Sequence, residues 1–356
     1  MMLEFIRIIS FFIAVTFTLS CGVHHDIHEN VDDISSNFSI IVGEDSSYMI
    51  TTAWQQDTLC FHGSLHKIVC MSSTYIASLS AIGCVSSICG VSGIQYVSDT
   101  EVRNRYDAGL IIDVGQDVNV DFEKIMSMSP DLVVTYSYAG SEDTVIARLK
   151  SLGLPVLVLN DYLEDNPLAR ASYMKVFGTL TGHESKADSV FNVVCERYHI
   201  LADKIVTSGY VGDKRCNILM NIPYADAWYI PGGDSYMARL VNDAGGNVLG
   251  AVYGKTESSV ISVEQAIMFS SSADFWLNTG WCDTREELYD QNPLFRSMSI
   301  PYIYNNTLRS TNGGGNDFWE GGAVRPDMIL HDLITIFHPE ILEYDNTGLY
   351  YYKEVK

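Results

Sequence analysis

A helix–turn–strand pattern that occurs twice, about 140 residues apart, constrains the fold of this chain most strongly. Residues 121–125 and 262–266 each read as a short helix that opens beside an acidic residue, and 132–134 and 275–277 read as apolar strands that follow an Asp-containing turn. A duplicated α/β unit predicts two similar lobes, and clefts of this kind bind small ligands. The same unit also recurs in single-lobed α/β proteins, so the pattern alone leaves both architectures open.

The composition is that of a large, acidic globular protein. A chain of 356 residues with 47% hydrophobic and 19% charged residues can bury roughly three-quarters of its unfolded surface without a disulfide scaffold. Its 44 acidic and 22 basic residues give a net charge of -22. Because nucleic-acid affinity comes largely from neutralising phosphates, this charge excludes nucleic acid as a partner class.

The first 20 residues have the features of a signal peptide rather than of a folded element. Residues 6–19 form an almost unbroken apolar run, which is short for a membrane span. Cys21 directly follows the small residue Ser20, as in bacterial lipoprotein signals. We expect residues 1–20 to be removed, a lipid on Cys21 and a polar tether over 21–37, with simple secretion and an uncleaved anchor as the alternatives.

Seven further cysteines cannot all pair with one another. Most have apolar neighbours, where a free Cys behaves as a small hydrophobic residue. Cys84 and Cys89 are the best candidates for a disulfide, and the absence of a Cys-x-x-Cys spacing argues against a structural metal site.

Short apolar segments alternate with helical ones on both sides of residue 184. This alternation predicts parallel sheets that are covered by helices on both faces. We assign residues 38–183 to a first α/β lobe that opens with a pair of introductory strands, 207–342 to a second lobe and 343–356 to a tail.

One long helix is predicted over residues 184–206, between the duplicated units. An apolar stripe runs along it, and Thr181 and Glu184 have the spacing of a capping box. The stripe comprises Val190, Val194, Tyr198, Leu201 and Ile205. A helix of this length would reach about 30 Å and tie the lobes together rigidly, although an ordinary core helix has the same pattern.

Large aromatic residues follow most of the predicted strands. Because ligands of open α/β sheets bind beyond the carboxyl ends of the strands, these residues form a candidate ligand-binding lining. They are Tyr75, Tyr96, Tyr136, Tyr138, Tyr162, Tyr224, Trp228, Trp281 and Trp319. Arg309, with Arg103 and Arg105, is a candidate partner for ligand carboxylates. So many aromatics indicate a flat or bulky ligand, although packing explains any one of them singly.

No pattern of catalytic residues is present. The sequence lacks a Gly-x-Ser-x-Gly elbow, a phosphate-binding Lys-Ser/Thr loop and a His-Glu-x-x-His metal motif. The glycine-rich run 312–316 reads as a flexible loop at the mouth of the cleft. We therefore expect a binding protein without a resident cofactor or metal rather than an enzyme.

Several short motifs, taken in order, resemble the class III substrate-binding proteins of ABC importers, which bind iron-siderophores, haem and vitamin B12. They lie at residues 66–75, 82–83, 90–93, 122–133, 152–156, 231–235, 244–247, 262–265 and 338–340. The resemblance covers roughly residues 65–342. It implies two Rossmann-like lobes with mainly parallel sheets, one long rigid helix between them and a ligand cleft between the lobes.

The resemblance also implies partners and roles. Glu123 and Glu264 match the glutamates with which each lobe of a family member pairs with arginines of the membrane permease, which works with an ATPase. The bound ligand is expected to be an iron chelate or haem, with a corrinoid as the alternative. A periplasmic, lipid-anchored monomer is implied. A function of another class is a surface lipoprotein that captures ligand for an outer-membrane receptor or acts as an adhesin.

Overall fold

The computed structural model describes residues 34–43, 47–53, 55–116, 119–137, 144–225, 227–342 and 348–356. The predicted signal peptide, the lipidation residue Cys21, most of the tether and the candidate ligand residue Tyr138 lie outside these residues. Among the helices of the described ranges, none is both long enough and apolar enough to cross a membrane.

An antiparallel three-stranded sheet precedes the first lobe, where the sequence predicts only a strand pair. Its strands are Phe38–Val42 (β1), Ser47–Thr52 (β2) and Gln55–His62 (β3), paired in that order. Tyr48 and Ile50 of β2 are buried in the core of the first lobe. The Thr52 hydroxyl donates to the carbonyl of Val158, 3.1 Å away, so the small sheet covers one edge of the lobe.

The first lobe is built on five parallel strands in the order β6-β5-β4-β7-β8. The strands are Ile68–Cys70 (β4), Ile88–Val91 (β5), Ile112–Asp113 (β6), Leu132–Thr135 (β7) and Val156–Val158 (β8). The helices around them are Ser73–Ala81 (α1), Thr100–Asp107 (α2), Phe122–Met128 (α3), Thr144–Ser151 (α4), Pro167–Ala171 (α5) and Met174–Thr181 (α6). The strands β4, β7 and β8 are buried along their whole length, which explains their continuous apolar sequence.

The second lobe repeats this architecture in a sheet of order β11-β9-β13-β14-β15, in which only β15 is antiparallel. The strands are Cys216–Met220 (β9), Gly246–Val248 (β11), Phe275–Leu277 (β13), Tyr302–Asn305 (β14) and Lys353–Glu354 (β15), beside a separate ribbon of Trp228–Ile230 (β10) and Ser259–Ile261 (β12). The helices of this lobe are Tyr236–Asp243 (α8), Val263–Ser270 (α9), Arg285–Gln291 (α10) and Pro326–Phe337 (α11). The predicted fold class is therefore confirmed.

The long helix is Glu184–Ser208 (α7), whose 25 residues extend about 37 Å. Its Ala187 belongs to the core of the first lobe, whereas Phe191 and Ile205 belong to the core of the second. The predicted apolar stripe is thus confirmed. The predicted capping box is wrong, because Thr181 ends α6 and its hydroxyl donates to the Phe177 carbonyl at 2.8 Å.

The cysteines of the described residues are free. The candidate disulfide between Cys84 and Cys89 is therefore not formed. Cys84 is buried and accepts a hydrogen bond from the Thr181 hydroxyl at 3.4 Å, and burial raises the pKa of Cys89 to about 11. Both thiols serve as packing groups.

The C-terminal residues predicted as a tail complete the second lobe instead. β15 pairs with β14, and Tyr351, Tyr352 and Val355 are buried in the core. The carboxylate of Asp332, in α11, accepts the amide hydrogens of Tyr350, Tyr351 and Tyr352 at 2.8, 2.6 and 3.0 Å. A single buried side chain therefore holds this segment in place.

The glycine-rich run predicted as a flexible loop is packed between the lobes. A Cβ on Gly313 would lie 2.7 Å from the carbonyl oxygen of Gln95, and one on Gly315 would lie 2.8 Å from that of Tyr96. Both glycines are needed because the two backbones approach too closely for a side chain. The run is an interlobe contact.

Glu320 makes a second contact between the lobes. Its carboxylate accepts the amide hydrogens of Ser98 and Asp99, which directly precede α2, at 2.8 and 2.7 Å. The side chain is buried, with 2% exposed. Burial raises the pKa of Glu320 to about 7, although the two amide bonds act in the opposite direction.

We expect Asp332→Ala to lower the free energy of unfolding by about 3–5 kcal/mol, because it leaves two buried amides and one partly buried amide without an acceptor. Urea denaturation of the purified protein measures the loss. The matched control is Asp290→Ala, which removes an exposed carboxylate paired with Arg296 and should cost at most about 1 kcal/mol. Equal losses in the two variants would show that Asp332 does not anchor the C-terminal segment.

Glu320 predicts a pH-dependent stability. The pKa of Glu320 in the folded chain lies above the ordinary value of 4.5, because the folded chain favours the protonated side chain. The stability that protonated Glu320 adds is therefore fully present below pH 4.5 and is lost as the pH rises through about 7. We expect a contribution on the order of 3 kcal/mol between pH 5 and 8. Glu320→Gln should remove that part of the pH dependence when unfolding free energies are compared at the two pH values. If Glu320→Gln leaves the difference in unfolding free energy between the two pH values unchanged, Glu320 is not its source.

Candidate functional site

A cavity of about 450 Å³ lies between the two lobes at the carboxyl ends of their parallel strands. Tyr162, which follows β8, lines it from the first lobe. Asn221 and Asn278, which follow β9 and β13, line it from the second lobe together with Tyr236. The volume falls within the roughly 300–1,000 Å³ of typical small-molecule sites. The lobes therefore form a cleft where the strand ends predict one.

Two asparagines shape the second-lobe wall in the same way. Asn221 and Asn278 adopt left-handed backbone conformations, with φ of 66° and 62°. The backbone N–H groups of Asn221 and Asn278 donate across the sheet to the carbonyls of Leu277 and Tyr304, at 2.8 and 2.9 Å. Asn tolerates this conformation better than most residues, which explains its place directly after each strand. The prediction from aromatics alone missed both residues, although an Asn at the end of each apolar run was the available signal.

Hydrogen bonds fix the first-lobe wall. The Tyr162 hydroxyl donates to the carbonyl of Ser137 at 2.7 Å, which leaves its ring to line the cavity. Asn160 accepts the Ser137 amide hydrogen at 2.9 Å and donates to the Ser137 hydroxyl oxygen at 3.0 Å. The loops after β7 and β8 are thereby tied to each other beside the cavity.

A buried ion pair of the first lobe packs against Tyr236, a lining residue of the second lobe. The Arg170 guanidinium donates to Asp161 at 2.9 Å and lies over the ring of Tyr236, 4.7 Å from its centre. The Thr74 hydroxyl donates to the same Asp161 carboxylate at 3.1 Å. Burial alone lowers the pKa of Arg170, but Tyr236 and Asp161 together raise it above its usual range. The charge of Arg170 is therefore balanced inside the protein.

Trp319 lines the cavity from the segment that follows the glycine-rich run, and 44% of its surface is exposed. Tyr162 and Trp319 are thus the two predicted ligand residues that the structure brings together at one cavity. Their rings come from different lobes. A flat or bulky molecule between the lobes can contact both of them.

Two of the predicted ligand residues are core residues instead. Tyr75 lies in α1 with 1% of its surface exposed, and its hydroxyl donates to the carbonyls of Thr135 and Leu159. Burial raises its pKa well above the ordinary value. Trp228 is fully buried, and its indole donates to the Met220 carbonyl at 2.8 Å. The prediction for both is wrong, because their aromatic rings face the interior of the lobes.

The remaining predicted aromatics among the described residues lie outside the lining of the cavity. Trp281 and Tyr224 follow strands of the second lobe and are exposed, Trp281 by 58%. Tyr96 packs beside the glycine-rich run, and Tyr136 is half-buried after β7. Their strand-end positions are as predicted, but the 450 Å³ cavity does not include them.

The predicted arginines are engaged elsewhere. Arg309 donates to Asp317 at 2.7 Å, lies 4.3 Å from the centre of the Tyr350 ring and lines a separate groove of about 700 Å³. Arg103 donates to the carbonyls of Ile94 and Val97. Arg105 is partly buried in α2 and does not line the cavity.

The two repeated acids occupy equivalent places. Glu123 and Glu264 are the second residues of α3 and α9, in separate lobes, and both are exposed. The preceding caps, Asp121 and Ser262, accept amide hydrogens of the first turn. The pKa of Glu264 is lowered by its own backbone amide and then by Ser262. Each lobe therefore displays a carboxylate at the start of the helix of the duplicated unit.

The described residues contain no group of three or more His, Cys, Asp or Glu side chains placed to hold a metal ion. Recognition of a ligand in the cavity consequently falls to aromatic rings, amides, hydroxyls and carboxylates. The arrangement suits reversible binding.

Sequence comparisons agree with this geometry. The family profile described as periplasmic binding protein matches residues 68–299. An uncharacterized lipoprotein of Methanocaldococcus jannaschii is 27% identical over 290 residues, which cover 78% of this chain and 66% of that protein. An uncharacterized ABC transporter substrate-binding lipoprotein of Bacillus subtilis is 26% identical over 181 residues, 49% of this chain and 52% of that protein. The chain thus spans between half and two thirds of the length of these relatives.

Solved structures share the architecture. A periplasmic haem-binding protein of Pseudomonas aeruginosa has a TM-score of 0.60 at 18% identity, covering 82% of this chain and 98% of that one. The molybdate-binding protein MolA of Haemophilus influenzae has a TM-score of 0.61 at 13% identity, with 82% and 91% coverage. At such identities these likenesses show the fold alone. The family profile matches residues 68–299, which is most of the chain. The chain therefore belongs to the periplasmic binding protein family and has the class III architecture of two α/β lobes joined by one long helix.

Proposed function

We propose that this protein is the solute-binding lipoprotein of an ABC importer, and that it carries a bulky metal complex in the cavity between its lobes. The observation that carries the proposal is the 450 Å³ cavity, which is lined from both lobes by strand-end residues and by the rings of Tyr162 and Trp319. An iron chelate, either a siderophore or haem, is the proposed ligand. Haem- and vitamin B12-binding proteins are among the structures that share this fold, which supports this range and makes a corrinoid the second candidate.

Glu123 and Glu264 are the proposed docking points for the permease. They are exposed, they begin equivalent helices, and they lie in different lobes, so a permease with two basic patches could contact both at once. Exposed ion pairs contribute only about 0.2–1 kcal/mol each, which suits a carrier that must dock and then leave. The proposal includes delivery to a permease that is driven by its ATPase.

A lipid on Cys21 is the proposed anchor, with the folded chain on the outer, periplasmic face of the membrane. The relatives named as lipoproteins support it. The polar residues that follow Cys21 would serve as a tether. Mass spectrometry of the protein from its native membrane tests the modification directly, since an unmodified mature N-terminus would exclude it.

The visible absorption spectrum tests the proposed ligand class. Purified protein is mixed with a ferric trihydroxamate, haemin or cyanocobalamin, freed of unbound ligand and examined for the colour that remains. At least one complex should stay bound at a ratio of one per chain. If all three are lost at micromolar concentrations, the proposed ligand class is wrong.

We expect Trp319→Ala to weaken binding of the retained complex by about 10–100-fold, because it removes the aromatic wall of the cavity. Trp281→Ala is the matched control: it removes an exposed Trp of the same lobe that does not line the cavity, and should change the dissociation constant less than about twofold. Titration followed by fluorescence quenching measures both. Equal effects of the two substitutions would contradict the assignment of the cavity.

The double variant Glu123→Ala/Glu264→Ala should weaken binding to the permease by about 2–30-fold, as expected for the loss of two exposed ion pairs, and lower uptake in cells, while leaving ligand affinity within about twofold. Glu286→Ala is the control, since Glu286 is an exposed glutamate at the same second position of α10. It should support normal uptake. Undiminished transport by the double variant would remove the proposed docking role.

A further inference from the structure

The charged groups that line the cavity are all acidic. Among the described lining residues, the formally charged side chains are Glu164 and Glu257, and none is Lys, Arg or His. Glu164 accepts hydrogen bonds from Asn37 at 2.9 Å and from Tyr173 at 2.8 Å. Glu257 is exposed on the second-lobe side. A ligand that enters therefore meets carboxylates and neutral polar groups.

Two arginines at the lobe interface are already paired within the protein. Arg170 is paired with Asp161, and Arg309 is paired with Asp317 in a different groove. Lys255 immediately precedes the lining residue Thr256, but it is exposed outside the lining. A carboxylate on a ligand would have to compete with Asp161 for Arg170, or with Asp317 for Arg309.

The segments that the structure does not describe after residue 33 do not change this balance. Residues 44–46, 54, 117–118, 138–143, 226 and 343–347 contain acidic residues and no Lys or Arg. Whatever their arrangement, they add no basic side chain to the cleft.

One feature of the cavity favours negative charge. The helix α8 begins at the lining residues Ser235 and Tyr236, and a helix N-terminus carries partial positive charge. The Ser235 hydroxyl already accepts the Ala238 amide hydrogen at 3.3 Å, and Asp234 directly precedes the cap. The protein's own groups thus offset part of this charge.

We infer that the cleft selects metal complexes that carry no net negative charge. This rests on the proposed function and narrows its ligand class. Neutral or cationic chelates, such as ferric trihydroxamates or amide-bearing corrinoids, enter without leaving a charge unpaired. Complexes with several ionised groups, such as ferric catecholates or haem with its two propionates, would place carboxylates or phenolates beside Glu164 and Glu257 without a partner.

The test uses pairs of probes that differ only in charge. The first set has three members: the ferric complex of desferrioxamine B, which is cationic, its N-acetyl derivative, which is neutral, and its N-succinyl derivative, which is anionic. The second is cyanocobalamin and its derivative with one side-chain amide hydrolysed to a carboxylate. Haemin is measured alongside. In whichever set binds, the added carboxylate should raise the dissociation constant at least about tenfold.

The outcomes separate the inference from the function on which it rests. If no probe binds, the proposed ligand class itself is wrong. If the anionic member of a set binds as tightly as its neutral counterpart, or if haemin alone binds, the protein remains a metal-complex carrier and the charge inference is overturned.

Charge-reversed variants test the residues. Glu257→Lys should improve binding of the anionic derivative by about tenfold, whereas Glu286→Lys, which makes the same change of net charge away from the cleft, should stay within about twofold. Lys255→Ala should not weaken binding of the anionic derivative. A large loss in Lys255→Ala would show that Lys255 supplies the cation that the lining lacks, and would overturn the inference.

Discussion

The rest of the structure depends on one helix that is buried in two hydrophobic cores. Near its start α7 contributes Ala187 to the core of the first lobe, and further along it contributes Phe191 and Ile205 to the core of the second. Residues of the first lobe, such as Ala77 and Leu168, also belong to the second core. A wide opening of the lobes would expose this shared apolar surface, at about 25 cal/mol for each Å². Ligand exchange by small movements is therefore cheaper than a hinge motion.

The segment 309–320 adds a second constraint at the other side of the cleft. It starts in the second lobe, places Gly313 and Gly315 against the backbone of the first, and ends in the Glu320 carboxylate, which binds the two backbone amides before α2. Trp319, which lines the cavity, directly precedes that carboxylate. The residue that is proposed to touch ligand is thus held by the same bonds that hold the lobes together. The geometry of the cleft and the packing between the lobes cannot be changed independently.

The sequence predicted the architecture better than the site. Buried parallel strands need continuous apolar runs, so β7 and β13 could be located directly, and the stripe on α7 placed the helix between the lobes. The site is different, because an aromatic residue after a strand can turn either into the core or into the cleft. Tyr75 and Trp228 turn inward, where backbone carbonyls accept their hydrogen bonds. Asn221 and Asn278 escaped notice because their role comes from a left-handed backbone, which composition does not reveal.

The acidic residues of this chain act on a ligand in two ways, through the net charge of the whole protein and through individual carboxylates that line the cavity. The net charge of -22 repels anions in general, but at physiological ionic strength that field decays over about 8 Å. The proposed selection inside the cleft would therefore come from the lining itself, where Glu257 has no basic neighbour. Arg170, outside the lining, is already paired with Asp161. Outside the cleft, Glu123 and Glu264 add exposed negative charge to each lobe, where it is available to attract the basic partner surface proposed above. The proposed docking on the surface and the proposed discrimination within the cavity would thus draw on the same acidic composition.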